Sequence, residues 1–351
     1  MQISDTPWKY PVFFRKNRVF RVYLGGKLLD AFAGNKGSDG NFPEEWICSA
    51  VQAINPGRTD PLEGISLREE DGVPFDKLIS EHKQEYLGER EDLGVLVKFL
   101  DSAIRLPMQV HPTRAFSREH FGSPYGKAES WIILDTREGA CIYFGFKEKI
   151  EKENFEALVT QSEQDKACMT SVVNRIPVKA GDVFFVDAGV IHAIGSGCLI
   201  LEIQEPTDFT VQPERWCGSY KLSDREMYLG LEPSTALDCF HYALYGEDVV
   251  TAGRKLPRQE YRDEQLCVES LIGKEDTPCF SVKRFSLRGG SVSLTIPASI
   301  WVCVDGEGVL FADGYKRSIK KGDYFFLPAA AAGTIDAATK TSLTLVACVG
   351  G

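Results

Sequence analysis

Five histidines serve a chain of 351 residues, so two that keep company with a carboxylate and an amide stand out. The run MQVHPTRAFSREHFGSPYGKAESW, from Met108 to Trp131, holds Gln109, His111 and Glu129, and VIHAIG further on holds His192. Along a strand, residues two apart share a face. Gln109 and His111 therefore enter one pocket together while Val110 points away. Glu129 opens the next strand-like run, where a hairpin return sets it opposite them. His192 follows a turn, and strand alternation puts it on the face of Val190 and Ile194. Two imidazoles, a carboxylate and an amide oxygen make a mixed N/O donor set suited to Zn²⁺, with Fe, Mn or Co as alternatives, and leave a position open for substrate or water.

Those residues leave a plainer account open. A histidine near a strand end is more often a hydrogen-bonded structural residue than a ligand, and Gln-x-His alone is a weak pattern. His82, His120 and His241 are read only in that plainer way.

The elements that must position the set are mostly strands. ESWIILDTREGACIYFGF alternates β-branched and aromatic residues around a glycine turn, which reads as a hairpin. Phe155, Leu158 and Val159 keep one helical spacing, and Met169, Val172, Val173 and Ile176 keep another. Strands return in IPVKAGDVFFVDAGVIHAIGSGCLILEIQ. From Trp216 to Asp263 the text is more helical and mixed, with GRKLPRQEYRDEQ as a polar connector. The last seventy or so residues are short strands and glycine turns again.

An internal repeat organises this text. KAGDVFFVDAGVIHAIG begins at Lys179 and KKGDYFFLPAAAAGTID at Lys320. A Gly-Asp turn feeding an aromatic strand, a second turn and a further strand is how small antiparallel barrels are written. Two copies point to two barrels of similar design. Gly333 stands where the first copy has His192, and no histidine follows His241, so the first barrel is expected to hold the chemistry and the second to be metal-free.

Bulk properties bound the rest. A chain of this length exceeds what one growing core serves, so two domains are expected. Forty basic against fifty acidic residues give a net charge of −10, which argues against nucleic acid or an anionic membrane as partner. The first residues lack the apolar run of a secretory leader, and no stretch reaches membrane-spanning length. Ten scattered cysteines with no C-x-x-C pair read as free, buried thiols in a reducing, cytoplasmic setting.

The phrases QVHP…GKAESWIILD and GDVFFVDAGVIHAIGSGCLILEIQEPTD together resemble the class I mannose-6-phosphate isomerases, zinc enzymes of the cupin superfamily. FPEEWICSAV and LGVLVKFLDSAIRLPMQVHP fit the same family, and the resemblance runs from Phe14 to Asp238, more weakly beyond. It implies a mainly β fold of two cupin-like (jelly-roll) β-barrels with helical insertions. The division expected is a metal-binding catalytic domain at 1–250 and a second, metal-free cupin-like domain at 251–351. It implies one Zn²⁺ per chain on Gln109, His111, Glu129 and His192, and an active-site lysine at Lys127. The implied substrate is a small phosphorylated sugar, mannose 6-phosphate converted to fructose 6-phosphate. Two positions depart from the family pattern. Pro107 stands where the family often has serine, and Val211 and Gln212 replace its Tyr-Arg pair, so the anion-facing role falls either to Arg215, if the loop bends it back, or to Gln212 itself. Lys98 is a lesser candidate for an anion contact. An isomerase of another sugar, a cupin dioxygenase and a non-catalytic sugar-binding cupin are the competing readings; the amide ligand fits the dioxygenase poorly, and the lost arginine favours the last.

Overall fold

The computed structural model describes residues 6–55 and 57–351; residues 1–5, part of the stretch read as lacking a leader, lie outside them. The chain is mainly β, 36% strand against 19% helix. Among the described residues no helix is long and apolar enough to cross a membrane, and all ten cysteines are free thiols, nine of them buried.

The first unit is built on β1 (Glu44–Ile47), β2 (Leu96–Ser102), β3 (Glu129–Thr136), β4 (Cys141–Phe146), β5 (Val173–Pro177), β6 (Val183–Val186), β7 (His192–Ile194) and β8 (Cys198–Gln204). One antiparallel sheet runs β1, β2, β8, β3, β6 and is extended at its two ends by Arg18–Val19 and Arg254–Lys255. A three-stranded sheet of β5, β4 and β7 stands apart from it. Strand alternation gives the large sheet two apolar faces, as a sheet buried on both sides requires. Leu100, Trp131, Ile133, Phe184 and Ile200 pack on Ile142, Phe144, Ile176 and Ile194 of the small sheet. Their alternates Phe99, Ile132, Val183, Leu199 and Leu201 join a core shared with the second unit. The other side of the small sheet is covered by helical residues, among them Phe155, Val159, Met227 and Leu237.

The second unit is a nine-stranded sheet centred on β9 (Leu266–Ile272), β10 (Phe280–Arg288), β11 (Ser299–Ala312), β12 (Tyr324–Leu327) and β13 (Ser342–Gly350). Trp301, Phe325, Leu310, Ile335 and Leu345 fill its interior. Phe280, Val282, Ile300, Phe326 and Cys348 face the other way, into the shared core. The N-terminal segment reaches across as well, because Val12 and Phe326 exchange backbone hydrogen bonds of 2.8 and 2.9 Å.

The repeat is visible atom by atom. Gly181 and Gly322 both adopt φ of +93°, a left-handed turn open to glycine at little cost. In each copy the aspartate amide donates to the lysine carbonyl, at 3.1 Å for Asp182 and 2.9 Å for Asp323. Its carboxylate accepts the lysine amide in return, at 3.1 and 2.8 Å. The aromatic strands that follow are β6 and β12.

Three local expectations fail. β3 and β4 are not a hairpin: β3 pairs with β6 and β8, β4 with β5 and β7. The turn between them carries the chain from one sheet to the other. The second helical spacing ends at Val172, because Val173 and Ile176 lie on β5, where β-branched side chains suit a pleated surface. The polar connector is instead edge structure, with Arg254–Lys255 closing the first sheet and Arg258–Arg262 the second. Charged edge strands resemble connectors in sequence because one face meets water.

A core shared by both sheets predicts that they unfold together. Phe326 is fully buried and packs its ring 5.0 Å from that of Phe75. Truncating such a side chain costs about 3–5 kcal/mol. Phe326→Ala should move a single urea transition, followed by tryptophan fluorescence and far-UV circular dichroism, to lower urea as one event; separated transitions would show independent units.

Candidate metal centre

Gln109 and His111 are delivered by an extended segment that lies beside β7 rather than in a hairpin with β3. The Gln109 amide donates to the His192 carbonyl at 2.8 Å, and the His192 amide donates back at 2.9 Å. Val110 is paired in both directions with Val211, at 2.9 and 3.0 Å. Glu129 arrives from the opposite sheet as the first residue of β3, between Gln204 of β8 and Val186 of β6. The four expected ligands therefore meet between the two sheets. His111, Glu129 and His192 are buried, and Gln109 is partly exposed.

Both imidazoles have their tautomer set by the backbone. A carbonyl oxygen only accepts, so His111 Nδ1 donates to Phe209 at 2.9 Å and His192 Nδ1 donates to Val190 at 2.8 Å. The Nε2 lone pairs are left facing each other 3.2 Å apart. His111 Nε2 is 3.1 Å from one Glu129 oxygen, and His192 Nε2 is 3.4 Å from the other. That second oxygen, Oε1, is buried with no hydrogen-bond donor. The Gln109 amide sits 3.2 Å from His192 Nε2, and exchanging its O and N by rotation turns the oxygen inward.

Acceptors crowded this closely repel one another unless a cation stands among them. A tetrahedral ion with bonds of 2.0–2.1 Å has ligand-to-ligand edges of about 3.3 Å, close to the 3.2 Å between the two Nε2 atoms and the 3.1 and 3.4 Å from each to its nearer Glu129 oxygen. The residues present fit a zinc ion.

Lys127, two residues before Glu129, is buried with them. Its ammonium donates to His111 Nε2 at 2.6 Å and to Glu129 Oε2 at 2.8 Å, and so occupies the lone pairs that an ion would take in its place. Burial, then the Lys127 charge, hold His111 down to about 3, and burial also lowers His192. Both rings are neutral, as ligation demands. Burial alone would raise the Glu129 carboxyl, but the Lys127 charge beside it holds it well below the usual range.

A belt of buried charge continues inward from this cluster. Trp46, Lys98, Glu202 and Trp131 stand side by side across β1, β2, β8 and β3. Lys98 Nζ lies 3.0 Å from Glu202 and 3.8 Å from Glu44. The Glu44 carboxylate also accepts from Tyr23 at 2.6 Å, Trp46 at 2.7 Å and Arg21 at 3.0 Å. Arg21 extends the belt to Asp208 at 3.2 Å. Lys98 is thus a buried, paired charge. Reading from the sequence missed Glu44, Glu202 and Arg21, and the clue available was a charged residue inside an otherwise apolar strand.

Arg215 is not brought to the cluster. Its guanidinium is taken up by the Leu222 carbonyl at 3.0 Å, Asp224 at 2.7 Å and Glu163 at 3.6 Å. Gln212 likewise spends its amide on the Glu226 carbonyl at 3.0 Å. Neighbouring surface acids outcompete a longer reach inward, so the anion-facing role expected of Arg215 is not what this geometry offers. Pro107 is buried.

The chain resembles known proteins in sequence and in fold. A family model for the mannose-6-phosphate isomerase cupin domain matches residues 274–347, within the second unit. Mannose-6-phosphate isomerase ManA of Bacillus subtilis is 30% identical over 253 residues, 71% of this chain and 74% of that protein. Mannose-6-phosphate isomerase of Streptococcus mutans is 28% identical over 333 residues, 91% of this chain and 92% of its relative. The crystal structure of the Bacillus subtilis mannose 6-phosphate isomerase shares the fold with a TM-score of 0.75 at 24% identity, covering 96% of this chain and 99% of that one. The chain belongs to the mannose-6-phosphate isomerase family.

The belt makes a pH prediction. Burial opposes ionisation of Glu44, but Arg21, Lys98 and its hydrogen bonds bring it to about 2, against 4.5 unperturbed. The stability it lends is complete above pH 4.5 and is lost as pH falls through that window toward 2. Linkage puts the amount on the order of 3 kcal/mol. Glu44→Gln should lower stability at neutral pH and flatten the acid limb of a urea-midpoint profile; an unchanged limb would show that Glu44 is not held ionised.

Proposed function

We propose that this protein is a zinc-dependent aldose–ketose isomerase that interconverts mannose 6-phosphate and fructose 6-phosphate. The observation that carries the reading is the convergence of His111, Glu129 and His192 at tetrahedral-edge spacing, with Lys127 bonded to two of them, in a chain of this family. The same reading takes the chain as two cupin-like barrels divided near residue 250, one zinc per chain in the first, acting in the cytoplasm.

Gln109, His111, Glu129 and His192 would hold the ion, which when bound supplies a positive charge where oxygen becomes negative during enolisation. The protein's own groups do the rest. Isomerisation moves a proton between C1 and C2 through a cis-enediol, so it needs proton-holding groups on one wall of the pocket and little water. Lys127 presents its ammonium at the cluster, where it orients the sugar oxygens or relays their protons. Glu202 shares the inner face, one cross-strand row away. Burial first, then the Glu129 charge, raise its carboxyl above the usual range, which suits a group that takes up and returns a proton. Apolar packing by Trp131, whose ring lies 5.5 Å from that of His192, keeps the wall dry.

A coupled assay with mannose 6-phosphate tests the activity, and metal analysis of the purified chain tests the site. His111→Ala should lose stoichiometric zinc and most turnover, whereas Arg215→Ala should keep both within about twofold, since exposed ion pairs contribute little. Full zinc in a His111→Ala, His192→Ala double variant would overturn the assignment. An inactive parent that still holds zinc would move the substrate to another sugar.

A further inference from the structure

One segment, from Gln204 to Glu214, touches both the Met108–His111 run and the approach to Glu129. Glu205 accepts the Ala128 amide at 3.0 Å, between Lys127 and Glu129. Thr207 donates to the Gly126 carbonyl at 2.7 Å. The Phe209 carbonyl holds His111, and Val211 pairs with Val110. These contacts, two from side chains and two from the main chain, tie the segment to the residues on either side of the cluster. Gln109 has its own main-chain bonds to His192, but the turn that leads into it is held from elsewhere.

That hold is Glu214. Its carboxylate is 2% exposed, accepts the Met108 amide at 2.5 Å and is bound by both terminal nitrogens of Arg105, one of them at 3.2 Å. Arg105 also donates to the Leu106 carbonyl at 2.8 Å and lies 5.8 Å from the Tyr143 ring. The intervening Pro107 has no amide hydrogen, so the Met108 N–H is the first donor ahead of Gln109 and is fully buried. A buried donor and a partly buried guanidinium are satisfied together by one carboxylate, through charge-assisted bonds of the stronger kind.

We infer that Glu214, together with Arg105, is a positioning residue of the metal centre: it fixes the Met108–His111 run and thereby sets the affinity of Gln109 and His111 for the ion. The inference rests on the zinc reading above. It predicts that shortening or removing the carboxylate loosens two ligands at once, although Glu214 touches neither of them.

The test compares the full-length parent with Glu214→Asp, which keeps the charge but draws it back by one methylene. A second variant, Arg105→Ala with Glu214→Ala, removes the pair without leaving a bare guanidinium. Zinc affinity is read by chelator competition, coordination by the visible absorption of the Co²⁺-loaded protein, and folding by urea midpoint without metal. Losing a partner outside the ligand shell typically weakens binding roughly 10- to 100-fold, and that loss, with altered Co²⁺ bands, is expected in both variants. A merely stabilising pair would lower the urea midpoint and leave affinity and spectrum unchanged, and that result overturns the inference. If the double variant does not fold, Glu214→Asp decides alone. A parent that binds no zinc removes the metal reading and this inference with it, an outcome distinct from a parent that binds and variants that match it.

Discussion

A carboxylate with no access to water must be matched by positive charge, and Glu129 is such a carboxylate. It is wholly buried between two neutral imidazoles, and one of its oxygens lacks any donor. Leaving an ionised group in that state costs several kcal/mol. Here the Lys127 ammonium meets that demand, and a divalent cation held by the four donors would meet it in its place. The architecture follows from this requirement. Ligands from facing sheets must converge, and backbone carbonyls must take both Nδ1 hydrogens so that both Nε2 lone pairs point inward.

The same logic spreads along the inner face of the large sheet. Each buried charge there answers another, from Glu202 and Lys98 through Glu44 to Arg21 and Asp208. Such a belt would be unstable in isolation; it is held because the opposite face of the same strands joins the core shared with the second sheet. The second unit bears the repeat without the chemistry, filling its interior with Trp301, Phe325 and aliphatic side chains while its outer face supports the strands that carry the site.

What the sequence disclosed followed its strongest local rules. Strand periodicity alone places Gln109 and His111 on one side, and the structure keeps them there. The Gly-Asp repeat announces β6 and β12 because a left-handed glycine turn with an aspartate returning to the lysine amide is a local device. His192, between Val190 and Ile194, lies in the interior as alternation requires. What stayed hidden was non-local. No turn residue between β3 and β4 reveals that the chain crosses from one sheet to the other, and nothing between Gln109 and Glu129 reveals that they reach the site from facing sheets. Glu44, Lys98 and Glu202 look like solvent-facing residues until the sheet is seen to be covered on both sides. Arg215 looked available only because Asp224 and Glu163 are not adjacent to it in sequence. The departure at Val211 has a plain structural reading, since its buried side chain packs with Met108 and Val110 while its backbone holds the ligand segment.

X-ray absorption at the zinc edge of the zinc-loaded full-length protein tests the central claim most directly. A first shell of only nitrogen and oxygen at about 2.0–2.1 Å, with the multiple-scattering signature of two imidazoles, is the predicted result. Sulfur at about 2.3 Å would place the ion on one or more of the ten cysteines instead, and either that shell or a protein that retains no zinc would contradict the account.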